Sequence, residues 1–143
     1  MIQQFRGEYR FLSNFYPSKI EYGGIVYPTL EHFFQAMKTL DKKERLFIAQ
    51  LPYPGQAKKA GRKVRLRPDW ENIKLQVMAY GLSKKFKDPI LREKLIGTTG
   101  KTLVEGNYWN DTYWGICLKT GKGQNHLGNM LMQLRDALVS QYH

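Results

Sequence analysis

The segment Tyr27-Pro28-Thr29-Leu30-Glu31-His32-Phe33-Phe34-Gln35-Ala36-Met37-Lys38 leaves this chain the least choice. Pro28 stops a helix from extending backwards, and Thr29 is a good N-cap. A helix is therefore predicted from about 29 to 39. At about 100° per residue, Leu30, Phe33, Phe34 and Met37 fall on one broad apolar arc. Glu31, Gln35 and Lys38 fall on a separate stripe at i, i+4 and i+7. A carboxylate, an amide and an amine thus line up beside an aromatic edge. The carboxylate sits in the first turn, where the helix dipole and free N–H groups favour negative charge. Such a row can hold a polar ligand and do acid–base work on it. It is also what the solvated face of an ordinary helix looks like.

A chain of 143 residues is long enough for one real core, so a single domain over 1–143 is expected. Nine Tyr, seven Phe and three Trp supply more rings than a core of this size requires. The surplus offers stacking surfaces for nucleobase-like rings. A net charge of +11 raises the local concentration of anions and points to phosphates or nucleic acid as partners. The one cysteine, Cys117, excludes an intrachain disulfide, and between Ile116 and Leu118 it reads as a buried, inert thiol. Met1 to Arg6 lack the apolar run of a signal peptide, and no segment approaches membrane-spanning length. The expected compartment is the cytoplasm, with no membrane partner.

Tyr22-Gly23-Gly24 reads as the turn of a hairpin between Lys19-Ile20-Glu21 and Ile25-Val26-Tyr27, with short strands over residues 9–27. Lys42 to Leu51 is a predicted second helix, and Gly55 to Lys63 a short basic one. A longer helix is expected from Pro68, with Trp70, Ile73, Val77 and Tyr80 as its buried stripe. Asp88 and Pro89 open another, running to Ile96. Lys101 to Glu105 and Thr112 to Leu118 read as short strands. The last helix carries Leu127, Leu131, Leu134 and Leu138 at i, i+4, i+7 and i+11. The predicted fold class is α+β, mainly helical, with a few short strands.

Three further segments carry chemistry-bearing side chains. Residues 58–67 hold six Lys or Arg and lead into a helix N-terminus, where phosphates find free N–H groups. Asn107 to Gly115 gathers Tyr108, Trp109, Tyr113 and Trp114 around Asp111, a candidate second carboxylate and equally a turn residue. Gly121 to Gly128 is a glycine-rich loop before the last helix, able to cradle phosphate or simply to cap the helix through Asn125. His32, His126 and His143 show no paired ligand spacing, so no metal is expected. No G-x-S-x-G is present to support a Ser-His-Asp hydrolase.

In their order along the chain these segments resemble the NADAR family of YbiA-like N-glycosidases. The matching residues are Phe11 to Tyr16, Pro28 to Lys38, Gly61-Arg62, Arg67-Pro68-Asp69-Trp70, Asp111 to Gly115, Gly123 to Gly128, Leu131-Met132 and Arg135. The resemblance implies a compact, mainly helical α+β domain without a cofactor. It implies a site for ribosyl phosphates or ADP-ribose, and hydrolysis of the bond between a ribose and a nitrogenous base. Two substrate branches are implied: ribosylamino-pyrimidine phosphates of riboflavin biosynthesis, and ADP-ribosyl groups on guanine, ADP-ribosylated nucleic acid included. By position, Glu31, Trp70 and Asp111 match family residues implicated in catalysis. Lys38 matches a family lysine that attacks C1 of an opened ribose in one version of the chemistry.

The residues agree with such a reaction. Cleaving an N-glycoside builds positive charge on the sugar and negative charge on the departing base. A carboxylate near C1 stabilises the first and activates water. Glu31 and Asp111 are the candidate pair, by analogy with O-glycoside hydrolysis. Trp70, Trp109 and Trp114 are candidate stacking surfaces. Ser13, Asn14, Gln35, Arg62, Asn125 and Gly128 are candidates to hold ribose and phosphate. The competing expectations are a non-catalytic ADP-ribose or NAD reader, and a nonspecific nucleic-acid binder whose affinity collapses with salt.

Overall fold

The computed structural model describes residues 1–142 and is mainly helical, with four short strands. His143 lies outside the described residues. The chain forms two compact units, residues 14–85 and residues 1–13 with 86–143.

In the 14–85 unit, β1 (Pro17–Tyr22) and β2 (Ile25–Thr29) form the expected antiparallel hairpin, with Tyr22 opposite Ile25 and Ile20 opposite Tyr27. Gly23 and Gly24 both take positive φ, 60° and 82°, as a tight two-residue turn matched to strand twist requires. β2 runs directly into α1 (Leu30–Ala36). Thr29 caps it as expected, accepting a hydrogen bond from the His32 backbone N–H at 3.1 Å. α2 (Lys42–Ala49) is capped by Asp41, and α3 (Pro54–Gly61) opens on a proline at its first position. α4 spans Trp70–Lys85.

α1 is the centre of this unit, and all seven of its residues are buried. Phe33 sits edge-on to Tyr22 and Tyr27, with ring centroids 5.7 and 5.8 Å away. α4 comes close enough to α1 that a Cβ at Gly81 would overlap the Leu30 side chain. The amphipathic arc expected of α1 is therefore incomplete as a description. Its polar stripe faces protein rather than solvent, because α2, α3, α4 and the hairpin all contact this helix.

α4 departs from expectation in two ways. Arg67 bonds Asp69 across 2.7 Å, and Pro68 and Asp69 form a turn, so the helix begins at Trp70. The buried residues are Trp70, Met78, Gly81, Leu82 and Lys85; Ile73 and Val77 are half-buried and Tyr80 is exposed. The stripe is rotated because Gly81, having no side chain, is the point of closest approach.

In the other unit, residues 7–12 form a 3-10 helix where a strand was expected. α5 (Pro89–Ile96) is capped by Asp88, which accepts from the N–H groups of Ile90 and Leu91. The strand expected over 101–105 is absent but for a bridge of Leu103 to Ile2. The one expected over 112–118 shrinks to β4 (Ile116–Cys117), which pairs in parallel with β3 (Gly106–Asn107) and is bridged to Lys122 through Cys117. Cys117 is buried, as expected. α6 (His126–Tyr142) buries Leu127 and Leu131 and leaves Leu134 and Leu138 half-buried.

Candidate active site

Glu31 is 8% exposed and Gln35 5% exposed, so the first two members of the polar stripe lie inside the 14–85 unit. They touch: Gln35 Nε2 donates to Glu31 Oε2 across 2.6 Å, one helical turn apart. The Glu31 backbone N–H donates to the Asn14 carbonyl at 3.1 Å, which ties the start of α1 to the segment before the hairpin. The Asn14 side chain contributes a long bond from Nδ2 to the Met78 sulfur, 3.6 Å, while its Oδ1 is buried without a partner.

Lys38 lies just past the Met37 C-cap of α1, half-buried. Burial pushes its amine pKa below the ordinary lysine value. The Glu31 carboxylate opposes that shift, and the positive charges of Arg62, Lys58 and Lys74 add to it. The amine and the carboxylate therefore act on each other, within a cluster of cations contributed by α3 and its C-cap and by α4. Arg62, the C-cap of α3, is exposed. Trp70 is 5% exposed and packs edge-on against Phe34, centroids 5.0 Å apart. Its ring is largely a wall of the core.

Part of the basic run is engaged in contacts within the protein. Arg67 is engaged by Asp69, and its backbone N–H donates to the Lys38 carbonyl at 2.8 Å. Glu44 accepts from the Arg65 N–H and from the Thr39 hydroxyl. These contacts pin the chain after α3 to the end of α1.

The remaining sequence candidates lie in the other unit. Ser13 caps the 3-10 helix through its backbone N–H. Asp111 is half-buried, and its Oδ1 accepts from the N–H groups of Tyr113 and Trp114 at 3.1 and 3.0 Å. This is the Asx turn that the alternative reading anticipated. Asn107, which sequence reasoning did not single out, holds that turn from inside. Its side chain bonds both the backbone N–H and the carbonyl of Asp111 at 2.9 Å. Trp109 is 58% exposed, and Trp114 is half-buried against Tyr113 at 4.9 Å.

The glycine-rich loop is a correction. Asn125 adopts φ 53°, a left-handed conformation that does not suit an N-cap. Its amide instead donates to the Leu103 carbonyl at 2.9 Å and accepts from the Glu105 N–H at 3.0 Å. A Cβ at Gly128 would overlap that same carbonyl and the Asn125 amide. Both residues fasten α6 to the 103–105 segment.

The His32 ring, fully buried, is bonded at both nitrogens. Nε2 lies 2.9 Å from the Leu51 carbonyl and Nδ1 lies 2.8 Å from the Thr29 hydroxyl. Among the described residues, no group of His, Cys, Asp and Glu is placed to hold a metal ion.

The profile of the NADAR domain matches residues 3–139. The chain belongs to the NADAR family. Among NADAR relatives, it is 42% identical to the N-glycosidase YbiA of Escherichia coli (strain K12) over 135 residues, covering 92% of this chain and 83% of that one. It is 35% identical to an N-glycosidase of Nostoc punctiforme, covering 91% and 86%. A riboflavin biosynthesis protein of Vibrio vulnificus is 33% identical over 90% of this chain, which spans 35% of that longer protein. The solution structure of E. coli YbiA superposes with a TM-score of 0.84 at 40% identity, covering all of this chain and 89% of that one. The mainly helical NADAR architecture is thus shared.

Proposed function

We propose that this chain is an N-glycosidase that hydrolyses the bond between a ribose and a nitrogenous base. The substrate class is the ribosylamino-pyrimidine phosphates of riboflavin biosynthesis. The observation that carries this reading is the buried Glu31 carboxylate, bonded to Gln35 and electrostatically coupled to the half-buried amine of Lys38. A module that only reads phosphates has little use for a carboxylate beside its ligand. The names of relatives support the same reading, N-glycosidases and riboflavin biosynthesis proteins alike.

In this mechanism Glu31 stabilises the positive charge that grows on the ribose as the base departs, and activates the attacking water. Away from bulk water its charge acts with greater force. Arg62 and Lys58 hold the phosphate, and Lys74, ion-paired to Glu71 at 2.6 Å, adds to the positive charge around it. In the covalent version, the deprotonated Lys38 amine adds to C1 of the ring-opened ribosylimine. The C1–N bond to the base breaks and the base leaves as its amine, and water hydrolyses the resulting Lys38 Schiff base to free the ribose phosphate. Asp111 takes the role of second carboxylate on the family resemblance, with Trp109 and Trp114 as stacking surfaces for the base. The whole chain acts as one catalytic domain, as a NADAR match spanning both units supports. No helix among the described residues is long and apolar enough to cross a membrane, which is consistent with a cytoplasmic enzyme.

Product analysis tests the proposal. The protein is incubated with a ribosylamino-pyrimidine phosphate and, separately, with ADP-ribosylated guanosine. Free base and ribose 5-phosphate from the first substrate are expected. Release of ADP-ribose from the second alone would move the enzyme to the other branch. Tight binding of either without any product would make it a reader.

A further inference from the structure

Gln35 has two ends, and they meet opposite environments. Its Nε2 donates to Glu31 Oε2 at 2.6 Å. Its Oε1 is buried and makes no hydrogen bond. That oxygen packs against Gly61, the last residue of α3. A Cβ there would overlap Oε1 and press on the Cδ and Cβ atoms of Gln35. Gly61 is buried, and its backbone lies outside the left-handed region that calls for glycine. Glycine is needed here for space.

The amide can lie only one way. A carboxylate accepts and never donates, so the NH2 group must face Glu31 and the oxygen must face Gly61. An orphaned buried carbonyl is unfavourable. It persists because the other end of the same amide is fixed by a charge-assisted bond.

We propose that Gly61 and Gln35 are positioning residues for Glu31. The glycine leaves the space in which the Gln35 amide is locked, and the amide holds the Glu31 carboxylate in one rotamer. Neither residue touches the sugar. Gln35 is thereby reassigned from ligand contact to support of the carboxylate, and Gly61 gains a role that its place in a Gly-Arg pair did not suggest. The catalytic consequence rests on the N-glycosidase reading; the clamp itself does not.

The test uses Gly61→Ala, Gln35→Met and the double variant, with one readout on the wild type and Gly61→Ala and a second on all of them. The first is the Gln35 side-chain NH2 signal in the NMR spectrum of the protein without substrate. In the wild type it should exchange slowly with solvent and stand apart from exposed glutamine amides. In Gly61→Ala it should lose that protection. The second is kcat and KM on the ribosylamino-pyrimidine phosphate. Displacing a catalytic group by about 1 Å costs on the order of 10²-fold. Each single variant should lose about that in kcat, with KM nearly unchanged. The double variant should be no worse than the worse single, because both act through one contact. A double variant whose loss is the product of the single losses would overturn the proposal, as would a Gly61→Ala protein with normal kcat and a protected amide. If Gly61→Ala fails to fold, Gln35→Met, which keeps the volume and leaves Gly61 untouched, carries the kinetic test alone. If the wild type turns over no such substrate, the N-glycosidase reading fails. The amide signal then decides the clamp: lost in Gly61→Ala, it stands; unprotected in the wild type, or unchanged in Gly61→Ala, it falls.

Discussion

The Nε2 atom of His32 lies 2.9 Å from the carbonyl oxygen of Leu51. A carbonyl only accepts, so Nε2 carries the proton. Nδ1 must then accept from the Thr29 hydroxyl, which in turn accepts from the His32 backbone N–H. The residue next to the candidate catalytic carboxylate is therefore a neutral tie between the α1 cap and the chain after α2. Burial holds its pKa below the ordinary histidine value, against the opposing pull of the Leu51 carbonyl.

That shift has a definite sign. As pH falls, the unfolded chain takes up the His32 proton before the folded chain does. The contribution to stability is complete above about pH 6.5 and is lost as pH falls toward the lower folded-state value. Thermal melts from pH 8 to 5 should show the wild type losing stability below pH 6.5 faster than His32→Gln. Parallel curves for the two proteins would show that His32 is not the group responsible.

Glu31→Gln keeps the shape of the side chain and removes its charge. Turnover should fall by roughly 10²–10⁴-fold, the usual contribution of a positioned acid–base group. The melting temperature should stay close to the wild-type value, since a glutamine carbonyl can still accept from Gln35. Normal turnover in this variant, measured on the purified protein, would remove Glu31 from the chemistry.

Lys38 separates two mechanisms. Its lowered pKa means that the neutral amine appears at lower pH than in free lysine. If the amine attacks the sugar, borohydride should trap an adduct. Its yield should rise with pH and level off below pH 10.5, the ordinary lysine value. Lys38→Arg, which cannot become neutral, should give no adduct and no product. A Lys38→Arg enzyme that retains turnover would assign the work to Glu31 and water alone.

Leu131 is fully buried on α6, whereas Leu138 on the same face is half-buried. Leu131→Ala should cost about 2–5 kcal/mol in chemical denaturation. Leu138→Ala should cost clearly less. Equal losses would mean that α6 is buried evenly along its length.

Gly128→Ala would drive a methyl group into the Leu103 carbonyl and the Asn125 amide. Overpacking of this kind costs about 1–3 kcal/mol. Binding of a phosphorylated ligand to the folded fraction should be unchanged, as calorimetry would show. A stable variant with weakened binding would restore the loop to the phosphate site.

The sequence announced α1 clearly because its signals are local. Thr29 as cap, Pro28 before it and the apolar spacing act within two turns, and the structure keeps them. The hairpin was legible for the same reason, through the positive φ that Gly23 and Gly24 permit. Burial of the Glu31 side of α1 was not legible, because it depends on Gly61, distant in sequence, leaving room for Gln35. The turn around Asp111 was anticipated, but its organiser Asn107 was not, since one asparagine bonding two backbone groups four residues away leaves no periodic trace. Asn125 looked like a cap because it precedes a helix. Only its φ and its bonds to Leu103 and Glu105 show otherwise.

α1 is seven residues long and buried throughout. Helices shorter than about 12–15 residues are marginal in water by themselves. Glu31 and Gln35 therefore come into register only once the surrounding elements have closed over them. Recovery of turnover during refolding should consequently lag any early gain of helical signal and coincide with the last burial of tryptophan. The enzyme's own activity would then serve as a clock for the completion of its core.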